Sequence, residues 1–136
     1  MRFITRLALT AGTVLSLAQM ASAAELPGAE IAKLISGKSV YLELTSNSVT
    51  GIPGLGVIYY ATDGTALYRT ASGAVWHGTW AVKDNVACVN WNEVPNNPCT
   101  RYDKTGDTIS IVNVATGKVR GKVLKTADGN AETLAP

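Results

Sequence analysis

The chain has 136 residues, with twelve lysines and arginines, ten acidic residues and one histidine. Two basic residues, Arg2 and Arg6, lie in the first 23 residues, and the other ten balance all ten acidic ones. A neutral domain has no bulk field to attract nucleic acid or an anionic lipid surface, so we expect neither partner.

The first residues have the pattern of a secretory signal peptide. Arg2 and Arg6 supply the positive start, residues 7–18 are mainly apolar, and Ala21-Ser22-Ala23 is a small-residue cleavage motif. A membrane anchor would need roughly 20 apolar residues, which this stretch does not reach. We therefore predict a signal peptide over residues 1–23, cleavage before Ala24, and a periplasmic or secreted protein with no membrane span.

The predicted export decides how the two cysteines are interpreted. Cys88 and Cys99 are the only cysteines, and an oxidising compartment favours a disulfide between them. A redox pair or a metal site is the alternative. Ten residues separate the two cysteines, unlike a C-x-x-C motif, and only one histidine is present, so we favour a structural disulfide.

The mature chain starts with a segment over residues 24–38 that contains a short helix. Within residues 29–35, Ile31, Leu34 and Ile35 fall on one face at helical spacing. Turn-like links then separate about eight short strands, which we place at 40–44, 57–61, 65–70, 75–82, 86–91, 99–104, 108–114 and 118–125. Residues 39–126 are therefore expected to form an all-β domain, and residues 127–136 a C-terminal tail.

Regular antiparallel strands of this kind favour a barrel or a sandwich. We predict a small up-and-down barrel, similar to that of the lipocalins, because closure removes exposed strand edges. The link over residues 47–56 is long and rich in glycine, and we interpret it as a surface loop rather than a binding loop. Lys118, Arg120 and Lys122 alternate along the last strand, which favours a solvated face over an anion site.

Seven aromatic residues between positions 59 and 102 are the most suggestive feature. They are Tyr59, Tyr60, Tyr68, Trp76, Trp80, Trp91 and Tyr102. They either form the core or surround an apolar pocket at the barrel mouth, because eight strands can be filled by side chains or hold one small ligand. We favour the filled barrel, with Trp76, Gly78, Trp80 and Val82 on one strand face.

The sequence contains no clear catalytic motif. The single histidine, His77, lies on the strand face opposite Trp76 and Trp80, so we expect a structural role for it. Glu43 and Glu93 are the pair from which a glycosidase site would be assembled, but no pattern supports this. We expect no enzymatic activity, no metal and no cofactor.

One block of residues resembles a known family. Gly78-Thr79-Trp80 is followed by Cys88, Trp91, Cys99 and Tyr102, and Asp63-Gly64-Thr65 forms a preceding hairpin. This arrangement is similar to a domain-of-unknown-function family of small exported alphaproteobacterial proteins. The resemblance covers roughly residues 34–125 and implies a periplasmic setting, while that family brings no established activity.

A second resemblance is to periplasmic inhibitors of secreted metalloproteases. These are also exported eight-stranded barrels with one disulfide, and their N-terminal segment enters the protease cleft. Residues 24–28 would play that part here. Our first expectation is a non-enzymatic binding or accessory module with a small apolar ligand or a protein partner; the alternative is a protease inhibitor that acts through its mature N-terminus. The sequence does not indicate an oligomeric state.

Overall fold

A computed structural model of the protein describes residues 12–14 and 22–136. Eighteen of the 23 residues of the predicted signal peptide therefore lie outside the described residues. The elements in chain order are β1 Ala24–Glu25, α1 Gly28–Ile35, β2 Lys38–Leu44, β3 Gly54–Tyr60, β4 Thr65–Arg69, β5 Val75–Lys83, β6 Val86–Trp91, β7 Thr100–Thr105, β8 Thr108–Asn113 and β9 Val119–Asp128.

Strands β2 to β9 form a closed antiparallel barrel. Each strand pairs with the next along the chain, and β9 returns to pair with β2. Short turns join most of the strands; in the β3–β4 turn, for example, Asp63 Oδ1 accepts hydrogen bonds from the backbone and side chain of Thr65. The predicted all-β barrel with a short N-terminal helix is confirmed.

Helix α1 closes one end of the barrel. Ile31 and Ile35 are fully buried and join the core cluster, while Leu34 packs against it from a partly buried position. Helical spacing places these side chains on one face, as the sequence predicts. Strand β2 starts at the end of the barrel that α1 closes, so it finishes at the opposite end. The β2–β3 link, residues 45–53, and the β6–β7 link, residues 92–99, therefore lie at that opposite end.

The seam between β6 and β7 is the weakest join in the barrel. A single residue pair, Ala87 opposite Thr100, connects the two strands. The predicted disulfide spans this seam, with the sulfur atoms of Cys88 and Cys99 2.02 Å apart. The crosslink therefore reinforces the barrel where backbone pairing is least extensive.

Strand β1 covers the rest of β7. Ala24 pairs with Lys104 and Glu25 with Asp103, and the Leu26 N–H donates to the Tyr102 carbonyl at 2.8 Å. The sequence pattern did not predict this strand, because two residues carry no periodicity. Residues 24 and 25 therefore belong to the sheet.

The C-terminal residues pack on the outside of the barrel. Strand β9 extends to Asp128, two residues beyond the predicted boundary at 126. Ser39 Oγ then donates to the Gly129 carbonyl at 2.7 Å, the Tyr41 hydroxyl donates to Glu132 at 2.8 Å, and Leu134 is buried. This tail is held in place by side chains from β2.

Among the helices in the described part of the chain, none has the length and apolar character needed to cross a membrane.

Candidate functional site

The barrel interior contains a partly enclosed cavity, at the end opposite α1. It has a volume of about 50 Å³, and the surrounding envelope reaches about 550 Å³ only when the mouth open to solvent is included. Pockets for drug-sized ligands span roughly 300–1,000 Å³. The barrel is therefore largely filled by side chains, and the remaining space suits a small molecule.

Four of the seven aromatic residues singled out from the sequence line this cavity, namely Tyr60, Tyr68, Trp91 and Tyr102. Trp76 and Trp80 pack against the core from partly buried positions, as their shared strand face predicts. Tyr59 is partly exposed on the other face of β3. Both roles considered for the aromatic residues therefore occur, because some fill the core and others form the wall of the cavity.

Aromatic contacts hold the cavity wall in a defined shape. The ring centroids of Tyr68 and Trp91 are 5.4 Å apart, and Trp76 meets Tyr68 edge-on at 5.9 Å. Trp80 meets Tyr60 edge-on at 5.5 Å, and its indole N–H donates to the Ala61 carbonyl at 2.8 Å. Such pairs contribute about 0.5–1.5 kcal/mol each beyond the area they bury.

A β-bulge near the start of β9 turns Arg120 into the barrel. Gly121 lies opposite Ile111 of β8, but the next pair joins Val112 to Val119, so Arg120 is the extra residue. A bulge of this kind redirects a side chain that regular alternation would place elsewhere. The predicted solvated stripe is therefore wrong at Arg120, although Lys118 and Lys122 are exposed.

The bulge requires a glycine at position 121. A Cβ atom there would collide with the backbone carbonyl oxygen of Glu43 on the neighbouring strand β2. A glycine inside a strand pattern commonly marks a bulge or a close backbone approach. The Arg120-Gly121 pair was thus the one signal in the sequence that could have located this site.

Arg120 is a buried cation with few partners. Its residue is 9% exposed, its Nη1 donates to Thr100 Oγ1 at 2.8 Å, and its Nε has no hydrogen-bond partner among the described residues. No aspartate or glutamate occurs among the described residues that line the cavity. Burying a charge without a counter-charge costs several kcal/mol, so Arg120 destabilises the fold unless another group compensates its charge.

The neighbouring tyrosines do not neutralise the arginine. Burial raises the pKa of Tyr60 and of Tyr102, and it raises the pKa of Tyr68 to about 12. All three phenols are therefore uncharged at neutral pH. Burial also lowers the pKa of Arg120, but a guanidinium stays protonated in proteins, so the cavity carries one positive charge.

Two loops close this end of the barrel. In the first, Ser48 is buried and lines the cavity together with Val49, so the surface-loop interpretation of residues 47–56 is wrong for these two positions. In the second, Asn97 Oδ1 accepts from the Trp91 N–H at 3.0 Å while its amide nitrogen donates to the Val94 carbonyl at 3.1 Å. These bonds bring the loop over residues 92–98 back onto the end of β6.

The candidate catalytic residues lie elsewhere. His77 is partly exposed; its backbone N–H donates to Glu93 Oε1 at 2.8 Å, and its ring lies 3.2 Å from the Ala135 carbonyl oxygen. Glu43 lies 3.7 Å from Lys122 Nζ. The described residues contain no cluster of three or more histidine, cysteine or acidic side chains suited to a metal ion.

Residues 24–28, the predicted inhibitory segment, are bonded to the barrel. Residues 24 and 25 pair with β7, and the Gly28 N–H donates to Asn85 Oδ1 at 2.9 Å. Insertion of this segment into a protease cleft would require it to leave the sheet. The inhibitor alternative stays a prediction, and this contact counts against it.

Comparisons with protein-family models, with curated proteins and with solved structures find no match to this chain. The functional interpretation therefore depends on the cavity and on the residues around it.

Proposed function

We propose that this protein is a non-enzymatic binding module of the bacterial periplasm that takes a small ligand into the end of its barrel. The observation that carries the proposal is the buried, incompletely bonded guanidinium of Arg120 beside a partly enclosed cavity. Buried polar groups are nearly always satisfied, so an unsatisfied one beside open space suggests a missing partner.

The surroundings of the cavity support binding rather than catalysis. Its described lining is mostly aliphatic and aromatic, with a few polar groups that include Ser48, Asn97 and Thr100. Small-molecule sites commonly combine an apolar wall with a few polar groups that orient the ligand. The only histidine, His77, hydrogen-bonds to Glu93 and the C-terminal residues and is not among the lining residues.

The periplasmic setting is supported by two separate features. The signal-peptide pattern in residues 1–23 predicts export, and the Cys88–Cys99 disulfide is the type of crosslink that persists in an oxidising compartment.

Tryptophan fluorescence tests the binding proposal. The purified mature protein is titrated with single small molecules that include carboxylates, amines, alcohols and amides. Trp91 lines the cavity, so an occupant should change the emission saturably, and Trp91→Phe should reduce that change. Trp80→Phe is the matched control, because Trp80 bonds the Ala61 carbonyl and is not part of the lining. A flat response to every compound would refute the proposal.

A further inference from the structure

The guanidinium of Arg120 has an unused edge. Arginine presents five N–H donors in a planar fork, and here Nη1 is bonded to Thr100 Oγ1 while Nε is buried without a partner. Nε and Nη2 lie along one side of that fork. An acceptor with two coplanar oxygens matches this edge by forming two parallel hydrogen bonds.

Charge balance limits the ligand to one negative charge. The described lining has one cationic side chain and no carboxylate, and the three nearby phenols are neutral. A single arginine compensates a monoanion. A dianion such as sulfate would keep an uncompensated charge in a site of low polarity, which is unfavourable.

Size and wall chemistry narrow the ligand further. The cavity volume of about 50 Å³ is well below the roughly 300–1,000 Å³ of pockets for drug-sized ligands, so the enclosed part accepts only a small molecule. Most of the remaining lining is apolar and would contact the carbon atoms of a ligand. It includes Leu44, Val49, Val89 and Trp91.

We propose that the cavity binds a small organic monocarboxylate, with the carboxylate on Arg120 and a short apolar chain directed along the aliphatic wall. This inference rests on the proposed function, since it names the ligand class of the same site. The bulge at Arg120 and Gly121 is then the device that places the cation inside the barrel.

Isothermal titration calorimetry at constant ionic strength tests the ligand class. The probes are propionate, its neutral isostere propionamide, and the inorganic anions sulfate and chloride. We expect saturable one-to-one binding of propionate with Kd below about 1 mM, and at least tenfold weaker binding of the other three.

Variants test the role of the arginine. Arg120→Gln should weaken propionate binding at least tenfold, and Arg120→Lys should weaken it less, since lysine keeps the charge but not the fork. Arg101→Gln is the matched control, because the Arg101 guanidinium is already paired with Asp103 at 2.8 Å and 2.9 Å. Thr100→Val keeps the positive charge of Arg120 and removes only the hydrogen bond that Arg120 Nη1 donates to Thr100. This variant replaces Arg120→Gln as the test of the arginine if Arg120→Gln fails to fold.

The outcomes separate the two proposals. Propionamide bound as tightly as propionate would overturn the carboxylate inference and leave the binding module standing. Sulfate or chloride bound as tightly as propionate would also overturn it, because the site would then select charge and not a carboxylate. If propionate shows no saturable binding to the wild-type protein, the inference fails. The fluorescence titration with uncharged compounds then decides the proposed function separately.

Discussion

Arg120 Nη1 lies 2.8 Å from Thr100 Oγ1, so a side chain from the bulge in β9 bonds to the first residue of β7. Thr100 is also the residue that pairs with Ala87 at the β6–β7 seam. The candidate ligand-binding group is therefore connected directly to the part of the barrel that has the fewest backbone hydrogen bonds.

Removal of the disulfide should weaken this seam. Cys88 and Cys99 are 11 positions apart, and a crosslink closing a loop of this size contributes about 3 kcal/mol through the entropy of the unfolded chain. We expect Cys88→Ala with Cys99→Ala to lower the free energy of unfolding by that order, as measured by urea denaturation. The reduced wild-type protein should behave similarly, and a change below about 1 kcal/mol would contradict the expected stabilisation.

Gly121→Ala should disrupt the bulge. The added Cβ would meet the Glu43 carbonyl oxygen, which belongs to the backbone and cannot move independently. We expect a loss of about 1–3 kcal/mol of unfolding free energy, which is the usual range for overpacking, together with loss of ligand binding. Val119→Ala on the same strand is the control, because Val119 is 46% exposed and should change stability by less than about 0.5 kcal/mol. Equal stability of the two variants would show that position 121 tolerates a side chain.

The interior tyrosines should resist ionisation. Burial raises the pKa of Tyr68 to about 12, so at pH 10 this phenol should remain protonated while the native circular dichroism is retained. Because the folded pKa lies above the unfolded one, stability is full below about pH 10 and decreases as the pH rises towards 12. Ultraviolet absorbance of tyrosinate, compared between wild type and Tyr68→Phe, measures this.

Arg120 provides a cross-check on the same titration. Its positive charge lowers the pKa of Tyr68, so Arg120→Gln should move that pKa further upward. Half-ionisation of Tyr68 at pH 10 in the folded wild type, or a downward movement in the variant, would contradict the arrangement of the cavity.

Acid should weaken the contact between Glu93 and His77. Burial alone would raise the pKa of Glu93, but the hydrogen bonds from the His77 backbone and ring outweigh it and lower the pKa below 4.5. The stabilisation is therefore present above about pH 4.5 and is lost as the pH falls through the lower folded value. Unfolding of Glu93→Gln should depend less steeply on acid than that of wild type. Asp107→Asn, in the exposed β7–β8 turn, is the comparison, and identical profiles for wild type and Glu93→Gln would exclude the contact.

Periodicity and turn residues predicted the barrel well. Alternation in β2 to β9 and the Asp63-Gly64 turn are local signals, and the helical face of Ile31 and Ile35 is equally local. The disulfide could be inferred because only two cysteines exist and export was predicted. Strand β1 could not be predicted from the sequence, because its two residues form a strand only by pairing with β7.

The site was harder to predict for a physical reason. Arg120 alternates with Val119 and Gly121 as if it were on an exposed face, and only the register shift against β8 turns it inward. Such a shift depends on the pairing of three strands, which no single segment reveals. The aromatic residues indicated the correct region, but they did not show that the cavity is small or that it carries a charge.

The Arg120 Nε–H resonance in a ¹⁵N-correlated nuclear magnetic resonance spectrum reports whether a carboxylate binds the guanidinium of Arg120. This hydrogen is the buried donor without a partner, and it can be assigned by its absence from the Arg120→Lys spectrum. We predict that propionate moves this signal saturably, with the same Kd as calorimetry, while propionamide leaves it in place. A resonance that does not respond to propionate at saturating concentration would show that the carboxylate does not bind Arg120.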